Sequence, residues 1–232
     1  QPEHTQHIEE KRQLLQLFFS AQAANIELAR LQAVHWAWER EHQQLRELLL
    51  KTAAECGWAV EQPIDSDKAN EILAQLLSKT HIELDYIHQL PLGLALLPRL
   101  QSLEVQHFTM RRLPAHLGKM RLLRRLSCSY GFNCGDLPEE IGELSELEEL
   151  HLDNNALEEL PESIGALQNL RTLSLRGNCL TTLPASLGTL PKLEKIYLAG
   201  NPLRRELIPS ILCNRHRSNL AVVNALRRIF KW

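Results

Sequence analysis

Ten histidines set among 28 aspartate and glutamate side chains are the residues of this 232-residue chain whose types could do chemistry. Two arrangements stand out. His151 and Asp153 are two positions apart, the spacing at which side chains on one strand project from the same face, so the carboxylate could orient the imidazole as a base. His81, Glu83 and His107 would offer two imidazoles and a carboxylate to a metal ion if neighbouring strands brought them together. Both arrangements lack the rest of a site. No serine or cysteine nucleophile carries a matching acid and oxyanion arrangement, and among ten histidines solvated imidazoles are the ordinary explanation of such groupings. Ile-Gly and Leu-Gly steps recur as parts of a repeat rather than as a glycine-rich phosphate loop. The expectation is therefore no catalytic residue, no resident metal and no cofactor.

Composition narrows the field further. The formal charge of −2 gives no polyelectrolyte character, and no run approaches the roughly 20 apolar residues that a membrane-spanning helix needs. Cys56, Cys128, Cys134, Cys179 and Cys213 are odd in number, scattered and without C-x-x-C spacing. That pattern argues against a metal site or disulfide framework and for a reducing compartment; a Cys128–Cys134 disulfide is the disfavoured alternative. The chain opens at Gln1 with neither a methionine nor a secretory signal, which leaves open a leader ahead of it.

The elements that must position these side chains are repeated. LEELHLDNNALEELPESIGAL (147–167) superposes on LRTLSLRGNCLTTLPASLGTL (170–190) with a shift of 23, aligning Leu152 with Leu175, Asn155 with Asn178, Pro161 with Pro184 and Gly165 with Gly188. Leu193, Ile196, Leu198, Asn201 and Leu203 follow one step later. Earlier copies carry Leu126, Leu137, Pro138, Ile141 and Gly142, then Leu100, Leu103, Val105, Leu113, Pro114, Leu117 and Gly118. A degenerate first copy with Ile82, Ile87, Leu90, Pro91, Leu94 and Leu97 fits at the same shift of 23. Six units thus lie between about residues 77 and 205. Each position has a physical reason. The L-x-L core is a short strand with alternate side chains in and out. The asparagine bonds the open backbone groups where the chain leaves the strand. The L-P-x-x-[IL]-G-x-L stretch returns along the outer face, and stacked units share one core because none can bury its leucines alone.

L-x-x-L-x-L-x-x-N-x-L-x-x-L-P-x-x-[IL]-G-x-L resembles the 23-residue class of leucine-rich repeats found in intracellular Ras-binding scaffolds, plant cytoplasmic proteins and many bacterial effectors. The resemblance covers somewhat more than half of the chain and is specific for fold while nearly silent on function. It implies an α/β fold: a leucine-rich-repeat solenoid, or parallel-strand arc, with an N-terminal helical bundle over 1–76, six repeats over 77–205 and a C-terminal helical cap over 206–232. Two units depart from the pattern. The third has one extra residue, with eleven positions from Leu126 to Leu137 against ten from Leu150 to Leu160, and places Cys128 and Cys134 at leucine positions. The second has Phe108 where the asparagine belongs. Repeat decay explains both; a bulge near Tyr130–Cys134 that tunes specificity is the alternative.

In this register four outward columns are expected. They are Lys79, Ser102, Arg125, Glu149, Thr172 and Lys195; His81, Glu104, Ser127, His151, Ser174 and Tyr197; Glu83, Gln106, Ser129, Asp153, Arg176 and Ala199; and Leu84, His107, Tyr130, Asn154, Gly177 and Gly200. Mixed polar and aromatic residues suit a protein-binding face. The candidate contact residues on the concave side are Glu104, Gln106, His107, Arg125, Tyr130, His151, Asp153, Asn154, Arg176 and Tyr197.

The ends must cover the outermost leucines. The stretch from His4 up to, but not including, Gly57 lacks proline and glycine and carries Leu14, Leu17 and Phe18, then Leu28, Leu31, His35 and Trp38, then Leu45, Leu48 and Leu49 at helical spacing. A further helix is expected after the Asp65–Ser66 cap, with Ile72, Leu73, Leu76 and Leu77 facing in. Trp36, Trp38 and Trp58 are read as core of this bundle rather than as a binding surface. At the other end Glu206 breaks the pattern, and Leu220, Val223, Leu226, Ile229 and Phe230 form an amphipathic cap after a polar loop.

Charge is uneven. Residues 139–162 hold ten acidic side chains and no Lys or Arg, whereas Arg111–Arg125 and Arg204–Lys231 are basic. Solvated faces account for most of this, and the asymmetry would steer a charged partner. Nucleic acid is a poor candidate because the basic residues are split and lack interleaved aromatics. The expected function is non-catalytic recognition of a partner protein, a host protein among the candidates, by a monomer. The setting is that of a bacterial effector or its substrate-recognition domain, in the cytoplasm or secreted into a host. A helical hairpin ahead of the repeats also resembles the N-terminal cap of type III-secreted effectors of this family. Alternatives are a recognition fragment of a larger ubiquitin ligase or kinase, and a cytoplasmic signalling scaffold.

Overall fold

The computed structural model describes residues 43–58, 66–131 and 134–203. The expected helices ahead of residue 43, with Trp36 and Trp38, and the expected cap after residue 205 lie outside the described residues. Those described form two compact units: the helical residues up to Lys79 together with Pro91–Arg99, and Thr80–Leu90 together with the residues from Leu100 onward.

In the first unit, α1 (Gln43–Glu55) and α2 (Ser66–Ser78) pack through Leu49, Ala53, Leu73, Leu76 and Leu77, all buried. α1 stops where Gly57 takes a left-handed turn at φ 82°. Gly57 N–H then reaches the Ala54 carbonyl and Trp58 N–H the Ala53 carbonyl, the paired bonds that satisfy a helix C-terminus. The buried Thr52 hydroxyl donates to the Leu48 carbonyl at 2.8 Å, and Gly93, in the 3-10 turn Leu92–Leu96, lies so close to Thr52 that a Cβ would collide with it. Trp58 is half-buried, with the Lys79 ammonium 5.4 Å from its ring centre.

The second unit is a six-stranded parallel sheet in chain order: β1 (His81–Asp85), β2 (Ser102–Gln106), β3 (Arg125–Ser129), β4 (Glu149–His151), β5 (Thr172–Ser174) and β6 (Lys195–Tyr197). Alternation in and out follows from strand pleat: Leu103 and Val105 are buried while Ser102, Glu104 and Gln106 are not. Each of β2 to β5 is followed by a return stretch in which an extended proline (Pro114, Pro138, Pro161, Pro184) opens a five-residue 3-10 turn. Glycine there is a spacing requirement, since a Cβ on Gly142 would sit 2.6 Å from the Ser163 carbonyl of the next turn. Leu126, Leu150 and Leu173 stack beneath the sheet with Ile141, Leu144, Leu147 and Leu167 from the return stretches, all fully buried. Each such side chain contributes roughly 1.5–3 kcal/mol of burial.

The register departs from a uniform 23 at two places. β1 pairs with β2 at a shift of 21, so that His81 faces Ser102, Glu83 faces Glu104 and Asp85 faces Gln106. This corrects the first rung of the expected columns: Lys79 does not stand in the first, and Leu84 is buried rather than displayed. The alternation of Ile82 and Leu84 is unchanged by a slip of two residues, so inward apolar residues alone do not fix that strand. Between β3 and β4 the shift is 24. It returns to 23 by Cys134, whose carbonyl accepts from Ala156 N–H as Leu157 accepts from Cys179 N–H. The extra residue of the third unit therefore falls between Gly131 and Cys134. Cys128 and Cys134 are buried as free thiols, not a disulfide. Burial pushes both thiols up, Cys134 to about 11.

Candidate functional site

The corrected register gives the face of the sheet away from the leucine core three strand columns: His81, Ser102, Arg125, Glu149, Thr172 and Lys195; Glu83, Glu104, Ser127, His151, Ser174 and Tyr197; and Asp85, Gln106 and Ser129, continued by Asp153, Arg176 and Ala199 just past the short strands. Ser129 and Ser174 are covered by their neighbours. Beside these columns runs a fourth line of residues, one per unit, at which the chain turns off the strand. Every one has a left-handed backbone: Tyr86 (φ 53°), His107 (47°), Tyr130 (61°), Asn154 (55°), Gly177 (64°) and Gly200 (80°). In the last three units this line carries asparagine and glycine, which tolerate that conformation. In the first three it carries aromatic rings; for the two tyrosines the conformation is strained at about 1–2 kcal/mol each, while histidine adopts it more readily. The rings stack on one another, His107 lying between Tyr86 at 5.0 Å and Tyr130 at 5.2 Å between ring centres. His107 Nδ1 is 2.9 Å from the Asp85 carboxylate, which also accepts the Tyr86 backbone N–H. Tyr86 is 73% exposed and Tyr130 40%.

One position further on, the contrast repeats. Asn155, Asn178 and Asn201 each donate to carbonyls of their own unit and the preceding one, Asn155 to Cys128 and Leu152 and Asn201 to Leu175 and Leu198. Their oxygens accept the N–H of Gly131, Leu157 and Leu180. The corresponding residues of the first three units are Ile87, Phe108 and Gly131. Phe108 is buried and its ring fills the space that a side chain on Gly131 would need.

None of the ten expected contact residues is buried. They form neighbouring groups rather than one cluster. Arg125 donates to Glu149 through Nε at 2.8 Å and through a second nitrogen at 3.3 Å; these bonds hold the Glu149 carboxyl below its ordinary range. His151 Nε2 lies 3.6 Å from the same carboxylate, and so is not paired with Asp153. Asp153 is instead occupied by the Ser174 hydroxyl, at 2.6 Å, and the Arg176 N–H, at 2.7 Å. The base-orienting pair read from sequence spacing is therefore absent. Arg176 lies over the Tyr197 ring at 4.2 Å. Glu104 accepts from Gln106, and Asn154 carries the left-handed turn. His107 goes to Asp85 and not to His81, so the imagined group of His81, Glu83 and His107 is not assembled. His81, Glu83 and Glu104 are brought together in its place.

The uneven charge is answered locally. Neighbouring units pair across the arc: Lys119 and Arg121 of the second with Glu143 of the third, Arg124 and Arg125 of the third with Glu148 and Glu149 of the fourth, and Arg171 of the fifth with Glu194 of the sixth. At the start of the strands Thr80, His81, Gln101, Ser102, Arg124, Arg125, Glu148 and Glu149 line a shallow polar pocket of about 400 Å³. The left-handed aromatic line was missed in the sequence; its signal was Asn154, Gly177 and Gly200 in one column.

Among the described residues no helix is long and apolar enough to cross a membrane. Residues 145–203 match the family model described as leucine rich repeat. No curated protein matches the chain. Among solved structures, a leucine-rich-repeat protein of Leptospira interrogans is 33% identical over 56% of this chain and 33% of its own, with a TM-score of 0.49. The leucine-rich repeat domain of the type III effector XopL is 21% identical over 72% of this chain and 69% of its own, at 0.50. An internalin of Listeria monocytogenes is 21% identical over 62% and 42%, at 0.45. The chain spans about a third of the length of the Leptospira protein. The parallel six-stranded sheet with its proline-opened return turns is the arc of a leucine-rich-repeat solenoid, preceded by helices.

Proposed function

We propose that this chain is a recognition module that holds a partner protein on the concave face of the sheet, without chemistry of its own. The observation that carries the reading is the aromatic line Tyr86–His107–Tyr130. Three consecutive units place a ring where the backbone favours glycine or asparagine, with Tyr86 largely and Tyr130 partly exposed. Strain held at an exposed position, with a ready alternative used by the other three units, is what a binding role explains and a stability role does not. Exposed tyrosine beside arginine and histidine is also the composition of interaction hot spots. Glu104, Gln106, Arg125, His151, Asn154, Arg176 and Tyr197 extend the contact surface, while Asp153 positions Ser174 and Arg176.

The setting that goes with this reading is a bacterial effector-type protein of the 23-residue repeat class, a monomer acting in a reducing cytoplasm on a protein of the host. Its support is the repeat pattern, the helices ahead of it and the free Cys56, Cys128, Cys134 and Cys179. A photo-crosslinking amino acid at position 86 or 130, compared with one at Ala166 on a return turn, tests the face. Partner adducts from 86 and 130 but not from 166 are expected; adducts only from 166 would place binding on the return side.

A further inference from the structure

Two glutamates stand directly opposite each other on the first two strands. Glu83 and Glu104 are register partners of β1 and β2, so their carboxylates leave the same face from adjacent strands, about 4.8 Å apart at the backbone. Like charges in that position destabilise a sheet. Among the described residues neither forms a close ion pair with a Lys or Arg: the ion-pair partner of Glu83 is His81 at 2.8 Å, Glu104 accepts from Gln106, and Arg125, near enough to attract Glu104, is held by Glu149. His81 lies two residues before Glu83 and shares its face. A ring nitrogen of His81 and one carboxylate oxygen of each glutamate all lie within 4.8 Å of one another.

We propose that His81, Glu83 and Glu104 form a binding site for a divalent transition-metal ion of the zinc type. One imidazole nitrogen and two carboxylate oxygens are the three-ligand set of an open site, with water in the remaining position. The mixed donors suit Zn²⁺, Co²⁺ or Mn²⁺ better than Ca²⁺, which takes six to eight oxygens, or Cu⁺, which prefers sulfur. Tetrahedral zinc bonds of about 2.0–2.2 Å need donors roughly 3.3 Å apart, and the side chains of His81 and Glu83, 46% and 71% exposed, have room to close to that distance. The ion would neutralise the opposed carboxylates and tie β1 to β2. The site rests on the shift of 21 between these strands and not on partner binding; at the uniform shift of 23, Glu83 would face Gln106 and the two carboxylates would not meet.

The test is calorimetric titration of the metal-stripped chain with ZnCl₂, joined to the visible spectrum of the Co²⁺ form. One equivalent is expected to bind, and Glu83→Gln, Glu104→Gln and His81→Ala should each weaken it tenfold or more, with Glu83→Gln/Glu104→Gln together abolishing it. Cys179→Ser and His151→Gln should leave it unchanged. All three ligands are surface side chains, so circular dichroism of the variants should match the parent. No binding at millimolar zinc, binding that survives in the double variant, or a thiolate-to-cobalt charge-transfer band would overturn the proposal.

Discussion

The first three units of the arc and the last three solve the same turn by different means. In units four to six the strand ends in asparagine or glycine with a left-handed backbone, and an asparagine ladder ties each unit to its neighbour with hydrogen bonds. In units one to three the left-handed residue is aromatic and the ladder position is Ile87, Phe108 or Gly131, so packing replaces hydrogen bonding. One half carries the economical solution and the other a strained, exposed one. The last three units show that this turn closes without an aromatic residue, and on the proposed reading the three rings mark the surface that a partner contacts.

The comparison can be broken from either side. Phe108→Ala should have the largest effect, a loss of about 3–5 kcal/mol in chemical denaturation, because a buried ring leaves a cavity between units two and three. Asn178→Ala should follow at about 2–3 kcal/mol: it leaves the Leu157 N–H without its acceptor and takes one of two donors from each of the Leu152, Leu175 and Arg176 carbonyls. Gly131→Ala drives a methyl into the Phe108 ring and should cost about 1–3 kcal/mol. Combined with Phe108→Ala its cost should shrink, and strict additivity in that cycle would show that the two do not share the space. The smallest effect concerns Glu149, whose carboxyl is lowered first by the hydrogen bond from Arg125. A group lowered in the folded state stabilises above the unfolded carboxylate range, and that contribution is lost as pH falls through its folded value. Thermal melts from pH 6 to pH 3 should therefore fall less steeply in Glu149→Gln than in the parent, by less than about 1 kcal/mol since the pair is exposed.

Most of the solenoid was legible because its signals are categorical. Proline opens each return turn, glycine at 142 and 165 is required by the approach of the next turn, and the asparagines at 155, 178 and 201 bond main-chain groups, the first two of them buried. The first strand was misplaced by two residues because Ile82 and Leu84 read identically after that slip. The extra residue of unit three was countable from Leu126 and Leu137, yet its place after Gly131 follows only from hydrogen bonds. The candidate face was harder. Spacing suggested that Asp153 serves His151, whereas the Ser174 hydroxyl and Arg176 N–H claim it. Nor does a tyrosine or histidine announce a left-handed backbone, although reading the Asn154–Gly177–Gly200 column backwards leads to Tyr130 and His107 directly.

The most direct test replaces the aromatic line with the residue its own fourth unit uses, as Tyr86→Asn/His107→Asn/Tyr130→Asn, and measures partner capture by a crosslinker placed at Tyr197. Asparagine relieves the strain of the rings, so stability should stay within about 1 kcal/mol of the parent or rise. Capture should fall at least tenfold in this folded variant. Capture at the parent level would contradict the claim that the strained rings are kept for binding.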